Sequence, residues 1–396
     1  MRFKKICLSL LIFMFLFVTI TYANNTETEQ IPDINSRAAI VLDRETKSIL
    51  YEKNSNEIRK MASTTKIMTA IVVIENSNLY CTVTISKKAA NTGGSVLGIK
   101  EGDKITICDL LYGLLLRSGN DAAVALAENV GGSIEGFAEM MNNKAKDLNL
   151  TNTHFVTPHG LDNNNHYTTA YELALLTDYA LNNKTFFNFV STKSYTVTIN
   201  GTPKSISNTN ELLGSLNGVY GVKTGFTNGA NRCLVTACKR ANFDIICVVL
   251  GADTKNFRSQ DSTKLIEYTF KTYEMFDIKK YINSNFEEWR LSNIDIFNID
   301  KGLSDNIELS IKGLNYSLYP IKKADIQNIS ASIDCNYNLK APLPSNSKVG
   351  TVTVNISKDT ILNFDIVNTV YIERKSSLNY FSEILSKFFK YLTISY

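Results

Sequence analysis

Met61-Ala62-Ser63-Thr64-Thr65-Lys66-Ile67-Met68-Thr69-Ala70 opens an apolar stretch that runs on through Ile71 and Ile74. Apolar residues at that spacing line one face of a helix, so a helix is expected from about Ala62. What flanks this helix decides the fold. Upstream, Ala38-Ala39-Ile40-Val41-Leu42-Asp43, a turn near Glu45-Thr46-Lys47, and Ser48-Ile49-Leu50-Tyr51 read as a β-hairpin. Downstream, helical patterns recur at 108–116, 120–130, 133–149 and 170–182. Strand-like segments return at Gly218–Lys223, 231–238 and 243–251, and a last helix covers about 256–275. Strands, then helices, then strands imply one antiparallel sheet with helices packed on it, an α+β fold rather than a parallel α/β one.

Beyond residue 276 the texture changes. Residues 295–372 alternate strongly, as in Ile307-Glu308-Leu309-Ser310-Ile311, and carry Pro320, Pro342 and Pro344 at expected turns. The chain therefore divides into a domain over 36–276 and a small all-β domain over 277–375. From Leu378 the apolar positions Leu378, Phe381, Ile384, Leu385, Phe388, Phe389 and Leu392 take helical spacing, with Lys387 and Lys390 between them. Residues 376–396 are thus expected to form a basic amphipathic helix lying in a membrane surface, the alternative being a helix packed on the protein's own second domain.

At the other end, Arg2, Lys4 and Lys5 precede an apolar run from Ile6 to Ile20 and the small residues of Thr21-Tyr22-Ala23. Residues 1–23 read as a secretory signal, followed by a polar, flexible 24–35. Without those three basic residues the formal charge falls from +4 to +1, which gives no electrostatic case for nucleic acid. Cys81, Cys108, Cys233, Cys238, Cys247 and Cys335 are scattered, mostly in apolar runs, and are expected to be buried free thiols. Cys233 and Cys238 are an odd number of residues apart, so on one strand they face opposite ways. They are not read as metal ligands.

The chemistry begins at Ser63. Lys66 follows three residues later, on the same helical face. A serine hydroxyl needs a neighbouring base, and a lysine serves only if burial or a nearby positive charge lowers its pKa. Lys223 would supply such a charge. Ser118-Gly119-Asn120 falls at a helix-to-helix turn, where Ser118 can relay a proton and Asn120 can bind an amide. Lys223-Thr224-Gly225 closes a strand, and its lysine and hydroxyl suit a substrate carboxylate, with Gly225 permitting close backbone approach. The first two strings are cheap: Ser345-Asn346-Ser347-Lys348 matches without an apolar helix, Ser215-Leu216-Asn217 matches too, and Ser304-Asp305-Asn306 matches but falls after Lys223, whereas Lys-Thr-Gly occurs once. His154, His159 and His166 sit in a polar, loop-like segment, 151–169, and are given neither a catalytic nor a metal role.

Taken in order, the three motifs resemble those of the low-molecular-mass penicillin-binding proteins, specifically the serine-type D-alanyl-D-alanine carboxypeptidases. The resemblance extends to Ser36-Arg37-Ala38-Ala39, Gly93-Gly94-Ser95, Leu114–Ala123, Thr157-Pro158-His159-Gly160-Leu161-Asp162 and Gly221–Gly225. It implies a β-lactamase/transpeptidase-like fold with no cofactor and no metal. It implies a stem peptide ending in D-Ala-D-Ala as substrate and β-lactams as covalent inhibitors, at the outer face of the bacterial cytoplasmic membrane. Ser63 would be acylated with Lys66 as base, Ser118 would pass a proton to the leaving amine, and Asn120 would hold the peptide. Lys223, Thr224 and Arg258 would bind the terminal carboxylate, and the backbone N–H groups of Ser63 and Phe226 would form the oxyanion hole. Asn256-Phe257-Arg258 reads equally as a surface helix start. A β-lactamase shares this chemistry, but the Glu-x-x-Leu-Asn string of its commonest class is absent between Asn120 and Lys223. A transpeptidase or endopeptidase would use the same residues, and a non-catalytic wall-binding protein is the reading that an intact set of motifs disfavours.

Overall fold

The computed structural model describes residues 30–394; the expected signal, 1–23, and residues 24–29 lie outside them. Strands β1 (Ala38–Asp43), β2 (Ile49–Lys53), β3 (Val219–Thr227), β4 (Asn231–Arg240) and β5 (Phe243–Ala252) form one antiparallel sheet in the order β2-β1-β5-β4-β3. Its central strands are apolar on both faces, the pattern of a sheet covered on each side. Ala38, Ile40 and Leu42 join one core with Ile246, Val248 and Leu250, while Ala39 and Val41 join the opposite one with Ile245, Cys247 and Val249. Cys233 and Cys238 fall in opposite cores, as the two-residue period requires. The six cysteines among the described residues are free; four are buried, Cys108 is partly covered, and Cys81 is exposed.

On the first face pack α1 (Lys66–Asn76), α2 (Ile107–Leu115), α3 (Asn120–Gly131), α4 (Ile134–Asp147), α5 (Ala170–Asn182) and α6 (Lys184–Ser191). On the other lies α7 (Lys255–Thr272), through Leu265 and Ile266. Helices α2, α4, α5 and α7 start at Thr106, Ser133, Thr169 and Thr254, whose side chains each accept a backbone N–H of the first turn. Helices α1 and α3, which start at the two motifs, have no side-chain cap. The helix expected from Ala62 begins as a 3-10 turn, Ala62–Thr65, and becomes α-helical at Lys66.

The C-terminal region has its own core. A four-stranded antiparallel sheet runs in the order Leu309–Lys312, Asp359–Asn368, Lys348–Ile356, Ile329–Cys335. Against it packs a helix, α8 (Ile278–Asn293), so residues 277–375 are not purely β. Its buried Ile278, Ile282 and Phe286 are four apart, a helical stripe that meets Val352, Val354 and Ile366. Strand Tyr273–Phe276 pairs with Tyr319–Lys322 and so joins this region to the first. The last helix, α9 (Ser377–Ile394), leaves Leu378, Phe381, Ile384, Phe388 and Phe389 exposed, so its apolar stripe is not packed on the sheet beside it. No described helix is long and apolar enough to cross a membrane.

Candidate active site

Edge strand β3 runs past the 3-10 turn that carries Ser63. A Cβ on Gly225 would stand 3.1 Å from the Met61 carbonyl oxygen and 3.2 Å from the Ser63 nitrogen. Gly225 therefore admits the serine turn itself. From the other side, Gly160 (φ +83°) presses on the Ala62 carbonyl, and any side chain there would collide with it. Ala62 (φ +48°) and Ser118 (φ +64°) adopt left-handed conformations that cost non-glycine residues energy, strain of the sort that clusters at working sites.

The Lys66 amino group lies at the centre. Its Nζ is 2.7 Å from Ser63 Oγ, 2.8 Å from Asn120 Oδ1 and 2.9 Å from the His159 carbonyl oxygen. The side chain is wholly buried, and its pKa falls well below an ordinary lysine's, first through burial and then through the charge of Lys223; Asp121 offsets this only in part. Lys223 is 1% exposed and donates to the Thr224 carbonyl; burial, then Arg258, lower it to about 7. Burial thus lowers both lysines, Lys223 adding to the effect on Lys66 and Arg258 to that on Lys223, and no carboxylate among the described residues is bonded to either Nζ. A neutral amine at hydrogen-bond distance from a serine hydroxyl is equipped to take its proton.

Asn120 spends its carbonyl on Lys66 and its amide N–H on the Gly93 carbonyl, at 2.8 Å. Its second amide N–H carries no bond among the described residues, which leaves a donor for a peptide carbonyl. Next to it, the buried Asp121 carboxylate accepts the N–H groups of Leu97, Gly98 and Ile99, which fixes the loop that presents Ser95. His166 supports the serine turn from beneath. Its Nδ1 accepts the Val156 N–H, so the proton is on Nε2, which donates to Thr65 Oγ1 at 2.7 Å; that hydroxyl donates to the Ala62 carbonyl. Burial first, and neighbouring charge second, hold His166 at about 4 and His159 at about 3, so both are neutral.

Ser63, Ser95, Ser118, Thr224, Gly225, Phe226 and Arg258 all line one cleft of about 390 Å³. Lys66, Asn120 and Lys223 stand behind that lining. Thr224 Oγ1 is held by Thr209 Oγ1 at 2.7 Å. Arg258 is a buried member of α7's first turn, not a surface residue, and donates to Glu211 at 3.0 Å. The geometry thus gathers every residue singled out in the sequence. It adds the His159 carbonyl, Gly160, His166, Asp121 and Ser95, of which all but His166 lie in or beside the quoted strings; Glu211 carried no signal at all.

The family model described as D-alanyl-D-alanine carboxypeptidase matches residues 25–254, more than half of the chain. This chain belongs to that family. The carboxypeptidase is 34% identical over 325 residues to the D-alanyl-D-alanine carboxypeptidase DacF of Bacillus subtilis, a match that covers 81% of each chain. It also resembles penicillin binding protein 5 from Haemophilus influenzae, at 26% identity with a TM-score of 0.73, covering 87% of this chain and 99% of the other. The Streptomyces K15 DD-transpeptidase is 37% identical with a TM-score of 0.59, and 99% of it is matched by 61% of the carboxypeptidase. The enzyme is therefore a low-molecular-mass penicillin-binding protein and a serine hydrolase of the D-Ala-D-Ala carboxypeptidase kind.

Proposed function

We propose that the enzyme removes the terminal D-alanine from peptidoglycan stem peptides ending in D-Ala-D-Ala by way of a serine acyl-enzyme. The observation that carries this reading is the 2.7 Å contact between Ser63 Oγ and the buried, charge-depressed Lys66 Nζ. Ser63 Oγ attacks the penultimate carbonyl while its proton passes to Lys66. The oxyanion is held by the N–H groups of Ser63 and Phe226, each donor contributing about 3–4 kcal/mol in sites of this kind. Collapse expels D-alanine, its nitrogen protonated through Ser118, whose hydroxyl lines the cleft and has no protein partner among the described residues. Water then hydrolyses the ester. Lys223 and Thr224, with the guanidinium of Arg258, bind the terminal carboxylate, and Asn120 offers its second amide N–H to the peptide. β-Lactams acylate Ser63 by the same route and leave slowly.

The exposed apolar stripe of α9, flanked by Lys387, supports seating in the outer surface of the cytoplasmic membrane. That location needs export, which the 1–23 segment would direct. We read residues 36–276 as the catalytic domain and 277–375 as a stand between it and the tail.

Release of D-alanine from an acyl-D-Ala-D-Ala peptide tests the activity, with intact mass after brief benzylpenicillin treatment on wild type and Ser63→Ala. A stable adduct on wild type alone supports the reading. Hydrolysed drug without an adduct would mean a β-lactamase, and intact drug without an adduct would remove the nucleophile assignment. The likeness to the K15 DD-transpeptidase favours a second fate for the acyl group, transfer to an amine, which an added D-amino acid acceptor would reveal as exchange product.

A further inference from the structure

The two donors proposed for the oxyanion belong to different elements: Ser63 lies on the 3-10 turn, and Phe226 on β3, an edge strand. Both N–H groups must point at one place to hold a single oxygen. An edge strand has a partner strand on one side only, so its end needs another tie. Segment 159–162 reaches from one element to the other. At its start, the His159 carbonyl accepts Lys66 Nζ at 2.9 Å. Gly160 then sits against the Ala62 carbonyl and Thr65 Oγ1. At its end, the Asp162 carboxylate accepts the Thr227 hydroxyl at 2.7 Å and the Gly229 N–H at 2.8 Å.

Both of these charge-assisted bonds fall where β3 turns into β4. Thr227 directly follows Phe226 and is the last residue of β3, opposite Asn231. Its hydroxyl also accepts the Ala230 N–H at 3.0 Å, so one carboxylate organises the whole turn. A Cβ on Gly229 would stand 2.9 Å from the Asp162 carboxyl carbon and from each of its oxygens, and glycine there admits the side chain. The contact of Gly225 with the serine turn limits how close β3 can come, and the Asp162 clamp limits how far it can stand off. Neither Asp162 nor Thr227 lines the cleft, so the clamp acts on the strand and not on a substrate.

We propose that Asp162 is a positioning residue for acyl transfer: it ties the end of β3 to the serine turn and so keeps the Phe226 N–H in register with that of Ser63. This rests on the serine acyl-enzyme reading. An oxyanion forms when the acyl group is loaded and again when water removes it. Loss of the tie therefore slows both steps and leaves ground-state binding of the peptide alone.

The test uses the full chain with Asp162→Ala, Asp162→Asn and Thr227→Val. Asp162→Ala should form the benzylpenicillin adduct about tenfold to a hundredfold more slowly, the effect of a misplaced oxyanion donor, yet reach the same final fraction of acylated chains. In D-alanine release from an acyl-D-Ala-D-Ala peptide its turnover number should fall by a similar factor, with KM within about twofold of wild type. Asp162→Asn keeps an acceptor for the Thr227 hydroxyl but turns a donor toward the Gly229 N–H, so its rate should lie between the two. Thr227→Val removes one of the clamp's bonds, and should cost less in the Asp162→Ala background than in wild type. Unchanged adduct formation in Asp162→Ala would overturn the proposal. So would a lower final fraction at an unchanged rate, which would mean a merely structural role, or a raised KM at constant turnover, which would place Asp162 in substrate binding. A wild type that forms no adduct would instead remove the acyl-enzyme reading, and the proposal with it.

Discussion

The cleft and the tail helix break the same rule in opposite directions. In the cleft, Lys66 and Lys223 are 0% and 1% exposed, where ammonium groups are rarely found. On α9, Phe381, Ile384 and Phe388 are 61%, 65% and 59% exposed, where large apolar side chains gain nothing from water. Each arrangement costs folding free energy, and each makes sense only with something added. The buried lysines gain a use when a hydroxyl proton or a carboxylate arrives. The bare apolar stripe gains one when a lipid surface does. The central sheet follows the rule, apolar on both faces, with Arg44 at its margin held between Asp178 and Asp244 at 3.0 and 2.9 Å.

The contrast breaks most visibly at Lys66. Lys66→Met should keep the packing and lower the rate of benzylpenicillin acylation by about 10³-fold or more, measured by intact mass against time. Near wild-type acylation would make the buried amine a structural oddity. The tail gives the next largest effect. Phe381→Glu with Phe388→Glu should reduce sedimentation with anionic phospholipid vesicles by roughly a hundredfold or more, while D-alanine release per mole of enzyme stays unchanged. Unaltered vesicle binding would leave the stripe without a role in attachment.

How much of this was legible beforehand differs between the two regions for physical reasons. The tail's 3.6-residue period is a property of side chains along one helix, so the stripe was readable outright, although not whether it packs on the protein. The central sheet was readable because β1, β4 and β5 alternate between two cores, down to the opposed Cys233 and Cys238. The hairpin Ser194–Ile199/Thr202–Ser207 was missed although it carries its own signal, Asn200-Gly201 with both residues at positive φ, the turn that joins two such strands. Helix α8 was missed because its stripe of three residues is short beside the strong alternation that follows it. The motif residues of the cleft were readable from their types. The His159 carbonyl was not, because a backbone oxygen has no residue type, and neither was Glu211, whose meaning comes only from lying against Arg258.

Acid sharpens the contrast at a smaller scale. His166 is held at about 4, against an ordinary 6.5, so the unfolded chain takes up its proton first. Stability from this group is therefore complete above pH 6.5 and is lost as pH falls toward about 4, amounting to up to about 3 kcal/mol. Thermal unfolding between these limits should be visibly less pH-dependent in His166→Asn, and an identical slope would show that other groups carry the acid sensitivity. The smallest expected change concerns Lys223. Removing its charge takes away the second cause of the low Lys66 pKa, so in Lys223→Met the acid limb of the acylation profile should move to higher pH. A limb that stays in place would mean that burial alone sets Lys66.

That Lys66 is a neutral amine accepting the Ser63 proton is tested most directly by the pH dependence of benzylpenicillin acylation in the wild-type enzyme, followed as the rate of adduct formation by intact mass. The predicted profile has its acid limb well below 10.5, the ordinary lysine value, and has stopped rising before that pH is reached. A rate that still climbs tenfold per pH unit between about 8 and 10 would show a charged lysine of ordinary pKa, and would contradict it.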